Sequence, residues 1–194
     1  YPNAMGTWLG APSISGWGQV VPLKGLIDSY ECKDGLTIEN SPLYQEDTQL
    51  DNRDPRLKLS IVTPGSLLNG KVIDITNENS MDRLGASNAS YSGYYYRKYI
   101  PADIEGEWDR NSYNDIVIMR YAEILLTYAE AAIESNTIDE SVLNAINKVR
   151  SRAGVMMPAV TTKNQDELRE IVRRERRVEL VLEGQRLFDI RRWK

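Results

Sequence analysis

RYAEILLTYAEAAIESNTIDESVLNAINKVRSRAG, residues 120–154, is the stretch that decides the fold class. Between 119 and 135, Ala122, Leu125, Leu126, Ala129 and Ile133 recur at three- and four-residue spacing, which lays one apolar stripe along a helix buried on that face. Thr137 and Glu140 have the spacing of a capping box and open a second helix, on which Val142, Ile146, Val149 and Ala153 share a face. Gly154 is its expected C-terminal stop. The two helices make a helical hairpin. Beyond Pro158, Asn164 and Glu167 are placed to cap a third helix that carries Leu168, Ile171, Val172, Val178 and Leu182 and ends at Gly184.

Upstream the composition changes near residue 115. Residues 1–115 hold most of the Gly, Pro, Asn and Ser and only short patterned runs, whereas 116–194 keep a helical period. In PLKGLIDSYE, residues 22–31, Leu23, Leu26, Ile27 and Tyr30 predict a short helix, and Asp34 with Gly35 supplies a turn after it. RLKLSIV at 56–62 alternates Leu57, Leu59 and Ile61 and reads as a small strand before Pro64 and Gly65. KVIDI at 71–75 and YYYRKY at 94–99 also fit extended chain. Tyr91, Tyr94, Tyr95, Tyr96 and Tyr99 would then alternate across a strand, one set facing the core. The chain is therefore read as mainly α, with a loop-rich, partly extended segment over 1–115 and a helical segment over 116–194.

The 194 residues are 41% hydrophobic and 27% charged, a composition that folds. The net charge of −4 offers no basic excess to neutralise a phosphate backbone, so nucleic acid is excluded as an expected partner. There is no His, which removes imidazole-dependent proton transfer, nucleophile activation and zinc ligation. Cys32 stands alone and cannot form an internal disulfide. The most apolar stretch, 116–133, is interrupted by Arg120, Glu123 and Glu130 and does not read as a membrane span.

No phosphate loop, GxGxxG turn, GxSxG elbow or CxxC pair is present. Glu130 and Glu134, one helical turn apart, are a candidate acid and base for glycoside hydrolysis, but with Arg120, Arg150 and Arg152 in the same hairpin we expect them to be ion-paired or solvated. EDTQLDNRD, residues 46–54, groups Glu46, Asp47, Asp51 and Asp54 as hard oxygen donors, yet follows no calcium-loop spacing and reads as a solvated turn. In RRERRVELVLEGQRLFDIRRW, 173–193, arginines alternate with Glu175, Glu179, Glu183 and Asp189 at helical spacing. That pattern predicts intramolecular guanidinium–carboxylate pairs, some partly buried, in preference to a phosphate grip. No metal or cofactor is expected.

Eleven Tyr and four Trp stand against one Phe. Aromatics with a polar handle suit surfaces that must be flat, apolar and wet, such as sugar platforms and protein interfaces. Trp8 and Trp17 lie in YPNAMGTWLGAPSISGWGQ, residues 1–19, which has no period and reads either as an ordered loop presenting indoles or as a segment whose indoles tuck into the core of a larger protein. Trp108 and Trp193 read as structural.

Taken in order, LIDSYECKDGL (26–36), NRDPRL (52–57) with the TPG turn at 63–65, SGYYYRKY (92–99), RYAEILLTYAEA (120–131), INKVRSRAG (146–154) and RRERRVELVLEGQRLFDIRRW (173–193) resemble the SusD/RagB family of glycan-binding outer-membrane lipoproteins. The resemblance implies helical hairpins similar to tetratricopeptide repeats, with this chain as the middle to C-terminal portion of a longer protein. That longer protein would begin at an acylated Cys, which Cys32 is not. It implies a surface-exposed lipoprotein of the cell outer membrane in Bacteroidetes, held to the membrane only through a lipid anchor and partnered by a SusC-type TonB-dependent transporter. The implied activity is capture of oligosaccharide or polysaccharide without catalysis. The family holds sugars through aromatic side chains on variable loops, so its shared motifs do not locate the site. The expected glycan-binding residues are therefore Trp8 and Trp17 as stacking surfaces, with Asn3 as a hydrogen-bond partner for hydroxyls. The rival readings are a module that docks on the transporter without binding sugar of its own, and a glycoside hydrolase.

Overall fold

The computed structural model describes residues 4–68, 70–100 and 114–193. The chain divides into two compact units, one drawn from Tyr1–Ile27 and Lys58–Asp115, the other from Asp28–Leu57 and Ile116–Lys194. Short helices α1 (Met5–Leu9), α2 (Lys24–Ser29) and α3 (Arg56–Ser60) fall in the first sixty residues.

The second unit is helical: α4 (Tyr121–Glu134), α5 (Glu140–Arg150), α6 (Gln165–Glu179) and the short α7 (Arg186–Arg192). The stripe read from the sequence is the buried one. Leu126, Ala129 and Ile133 of α4 pack with Val142, Ile146 and Val149 of α5 and with Leu168 and Val172 of α6, while Ala122, Leu125 and Ile171 line the margin. Each fully buried Leu, Ile or Val contributes roughly 1.5–3 kcal/mol, so this cluster is the main stabilising term of the unit. The α4–α5 pair is the expected hairpin, and α6 packs on α4 as well.

The ends of these helices differ in part from expectation. Asn164 caps α6 as read, its side chain accepting from the Glu167 N–H at 3.0 Å. The cap of α5 is Asp139, whose Oδ1 accepts from the Ser141 N–H at 2.8 Å. Thr137 instead donates its hydroxyl to the Ala132 carbonyl at 3.2 Å and belongs to the preceding turn. The shorter carboxylate two residues from its target outcompetes the hydroxyl. α5 stops at Arg150, and Gly154, at φ 82°, lies in the turn beyond it. α6 stops at Glu179, short of Gly184, and the chain restarts as α7. Arg120 Nη2 donates to the Glu179 carbonyl at 2.7 Å, occupying an acceptor that a continued helix would use. Leu182 and Gly184 then turn left-handed, at φ 61° and 78°.

In the first unit, strands are two residues long. β1 (Ile61–Val62) pairs antiparallel with β4 (Tyr95–Tyr96), placing Ile61 opposite Tyr96 and Val62 opposite Tyr95. β2 (Leu67–Leu68) pairs antiparallel with β3 (Lys71–Val72). RLKLSIV is therefore strand only at its end, since residues 56–60 form α3. Asp54 explains the difference: its Oδ1 accepts from the Arg56 N–H and its carbonyl from the Leu57 N–H, both at 2.9 Å. Pro55 has no N–H to leave unsatisfied in that first turn. The tyrosines do not alternate as expected. Tyr95 and Tyr96 are neighbours and both buried, while Tyr91 is fully in solvent.

Candidate functional site

Trp8 lies on α1, a helical turn where the sequence reads as loop, and Trp17 lies on the segment that returns beside it. After a 3₁₀ turn at Pro12–Ile14, Trp17 N–H donates to the Thr7 carbonyl at 2.7 Å, and Gln19 and Val20 N–H both donate to the Trp8 carbonyl, at 2.9 and 3.2 Å. The backbones of the two tryptophans thus adjoin. Glycines make this approach possible. A Cβ on Gly16 would overlap the Gly10 carbonyl, and Gly18, at φ 48°, would put one 2.7 Å from the Asn88 carbonyl oxygen. Trp17 is held between two close backbone contacts, and the sequence signal for them is the GWG at 16–18.

Polar contacts tie the same segment down. Asp82 accepts from the Ser13 N–H at 2.8 Å and from its hydroxyl at 2.6 Å, and Lys71 Nζ donates to the Ser13 carbonyl at 2.6 Å. The buried Tyr95 hydroxyl donates to the Asp82 carbonyl at 3.2 Å and accepts from the Ser90 N–H at 3.0 Å. Burial raises the Tyr95 phenol above its usual range, with the nearby Asp82 charge acting in the same direction, so it stays a neutral donor. Sequence reasoning did not find Ser13, Asp82 or Tyr95, because they meet only through long-range folding.

The outcome is a braced segment with its two large rings partly outside. Trp8 is 52% and Trp17 45% exposed, so each indole is neither core nor free. An indole anchored on one side and wet on the other offers a flat apolar face with a polar edge, the chemistry that suits stacking on a sugar ring. Asn3 lies outside the described residues.

The second unit holds its charges differently. Arg56, 2% exposed, meets Asp54 at 2.6 Å, Glu179 at 3.0 Å and also Glu175. Arg150 bridges Glu31 and Glu175 at 2.8 and 2.9 Å, and Arg120 bridges Glu179 and Glu183 at 2.7 and 2.8 Å. Arg152 adds a further pair to Glu179. Burial alone would raise the Glu179 carboxyl, but the Arg152 hydrogen bond and the charges of Arg152, Arg120 and Arg56 outweigh it and hold the group down at about 2. Glu130 and Glu134 are ion-paired, though not to Arg120, Arg150 or Arg152. Glu130 is buried against Arg192 and Arg176 and takes the Trp193 indole N–H, and Glu134 meets Arg169 and Arg173 at 3.0 and 3.1 Å. Trp193, read as structural, is bonded into this network, while Trp108 lies outside the described residues. Asp54 of the acidic stretch is buried on Arg56. Among the described residues no group of three or more Asp, Glu or Cys is placed to hold a metal ion.

A crystal structure of a SusD-like carbohydrate binding protein from Bacteroides fragilis superposes with a TM-score of 0.89 at 38% identity, over 99% of this chain and 39% of that one. A second SusD-like protein from Bacteroides fragilis gives a TM-score of 0.77 at 30% identity, over 98% of this chain and 39% of that one. Among curated proteins, SusD-like protein P2 of Formosa agariphila is 32% identical over 96% of this chain and 38% of its own length. The chain thus spans about two fifths of the length of these relatives. The SusD family model matches residues 2–194, and with the mainly α fold and the relatives above this establishes that the chain belongs to the SusD family.

Proposed function

We propose that this chain is part of a carbohydrate-binding protein that captures oligosaccharide at the cell surface without cleaving it, and delivers it to a SusC-type TonB-dependent transporter in the outer membrane. The observation that carries the reading is the pair of half-exposed indoles, Trp8 and Trp17, on a segment braced by Gly16, Gly18 and the Ser13–Asp82 contacts. Asn3 is proposed as the hydroxyl partner beside them. Support also comes from the relative at 38% identity, which is described as carbohydrate binding. Among the described residues no helix is long and apolar enough to cross a membrane, and attachment through a lipid anchor is part of the proposal.

The non-catalytic part of the proposal is supported by three carboxylates. Glu130, Glu175 and Glu179 are buried and each bonded to arginine, so none of these three is poised as a general acid or base. Titration calorimetry with a panel of neutral oligosaccharides tests the reading. Saturable heat with at least one glycan, and no reducing ends released on long incubation, is expected. Heat with none of them favours the rival, a module that docks on the transporter only. That rival has its own observation in the apolar outer side of α4, where Tyr121, Ile124 and Tyr128 are exposed.

A further inference from the structure

The helical unit contains an open pocket of about 530 Å³ whose wall is built largely from guanidinium groups: Arg173, Arg174, Arg177 and Arg186, with Glu170 and Trp193. α6 supplies three of the arginines at i, i+1 and i+4, and α7 supplies Arg186. The restart of the chain as a separate helix is what turns Arg186 back toward the same cavity as Arg173.

These arginines are not all neutralised. Arg174 commits Nε and Nη2 to Glu31, and Arg173 commits Nη2 to Glu134. The Nε of Arg173 is buried with no hydrogen-bond acceptor, which is a costly position for a charged donor. Arg186 has no carboxylate partner among the described residues. It lies over the Trp193 ring at 5.4 Å, and Arg173 lies over the same ring at 5.1 Å, so a single indole orients both planar forks. Glu170 is one exposed carboxylate on a wall of four guanidiniums.

We infer that this pocket is a binding site for a tetrahedral oxyanion, a sulfate or phosphate group, taken either as the free ion or as its ester on a sugar. Planar guanidinium forks match the oxygens of such a group in bidentate fashion, and the volume is large enough to hold the sugar unit that carries it. The site does not depend on the indoles of the other unit, so a failure of one reading leaves the other standing.

The test is calorimetry in low-salt chloride buffer with four probes: inorganic sulfate, galactose 6-sulfate, galactose and a hexaglutamate peptide. Saturable binding of sulfate or galactose 6-sulfate is expected, weakened about tenfold in Arg186→Ala with the circular dichroism unchanged, and weakened by added salt. Inorganic sulfate, which has no ring to stack, should bind to the double variant Trp8→Ala, Trp17→Ala as it does to the wild type. Equal affinity for the two anions identifies the free ion as ligand, and tighter binding of the sugar ester with galactose silent identifies a sulfated glycan. Either supports the site. Absence of binding by both anions, binding of the peptide alone, or an affinity that Arg186→Ala leaves unchanged overturns it.

Discussion

In the helical unit several charged groups are buried beside the apolar core: Glu175 and Arg176 are 2% and 3% exposed. In the loop-rich unit two of the largest apolar side chains, Trp8 and Trp17, stand about half in solvent. The first arrangement trades strong, mutually satisfied ion pairs for a single well-defined packing of α6 on its neighbours. The second leaves apolar surface uncovered where ordinary folding would hide it. Buried charge that is fully paired belongs to architecture, and half-buried aromatic surface on a braced segment is what the proposed recognition role would use.

The contrast is broken most forcefully at Glu179. Glu179→Ala leaves Arg56, Arg120 and Arg152 short of a shared partner and should cost about 3–5 kcal/mol in urea denaturation followed by helical circular dichroism. The same carboxylate sets an acid limit. Its folded pKa, about 2, lies below the ordinary 4.5, so the stability it contributes is fully present above about pH 5 and is lost as pH falls from 4.5 toward 2. Urea midpoints recorded from pH 7 down to pH 3 should be flat and then drop, and Glu179→Gln should flatten the drop.

Leu126→Ala opens a cavity in a fully buried position between α4 and its partners and should cost about 3 kcal/mol by the same measurement. The indoles fall between Leu126 and the helix cap. Each of Trp8→Ala and Trp17→Ala should cost about 2 kcal/mol, since about half of each residue is buried and half already faces water. Asn164→Ala removes one cap and should cost about 1 kcal/mol, whereas Thr137→Ala should cost less, because the Ala132 carbonyl that its hydroxyl meets also accepts from the Thr137 N–H.

The hairpin was legible because a 3.6-residue period survives any detail of packing: the stripe Leu126, Ala129, Ile133 is the one that is buried. The Arg–Glu alternation was legible as ion pairing, but its partners were not. Arg56 meets Glu175 across more than a hundred residues of sequence, a pairing that no local pattern encodes. Short elements were misread where one side chain overrode the pattern. Asp54 caps the alternating 56–60 as helix, and α6 ends at Glu179, whose carbonyl takes Arg120 as its partner. At the candidate site, Trp8 and Trp17 stood out by residue type. The tight backbone approaches at Gly16 and Gly18, and the Ser13–Asp82–Tyr95 contacts, required the fold.

The most direct measurement is an oligosaccharide titration of the wild type beside Trp8→Ala, Trp17→Ala, using whichever neutral glycan gives saturable heat. The expected result is loss of that heat in the double variant, with an unchanged urea midpoint for the helical unit. Retention of wild-type affinity in a folded double variant would contradict the assignment of sugar binding to the two indoles.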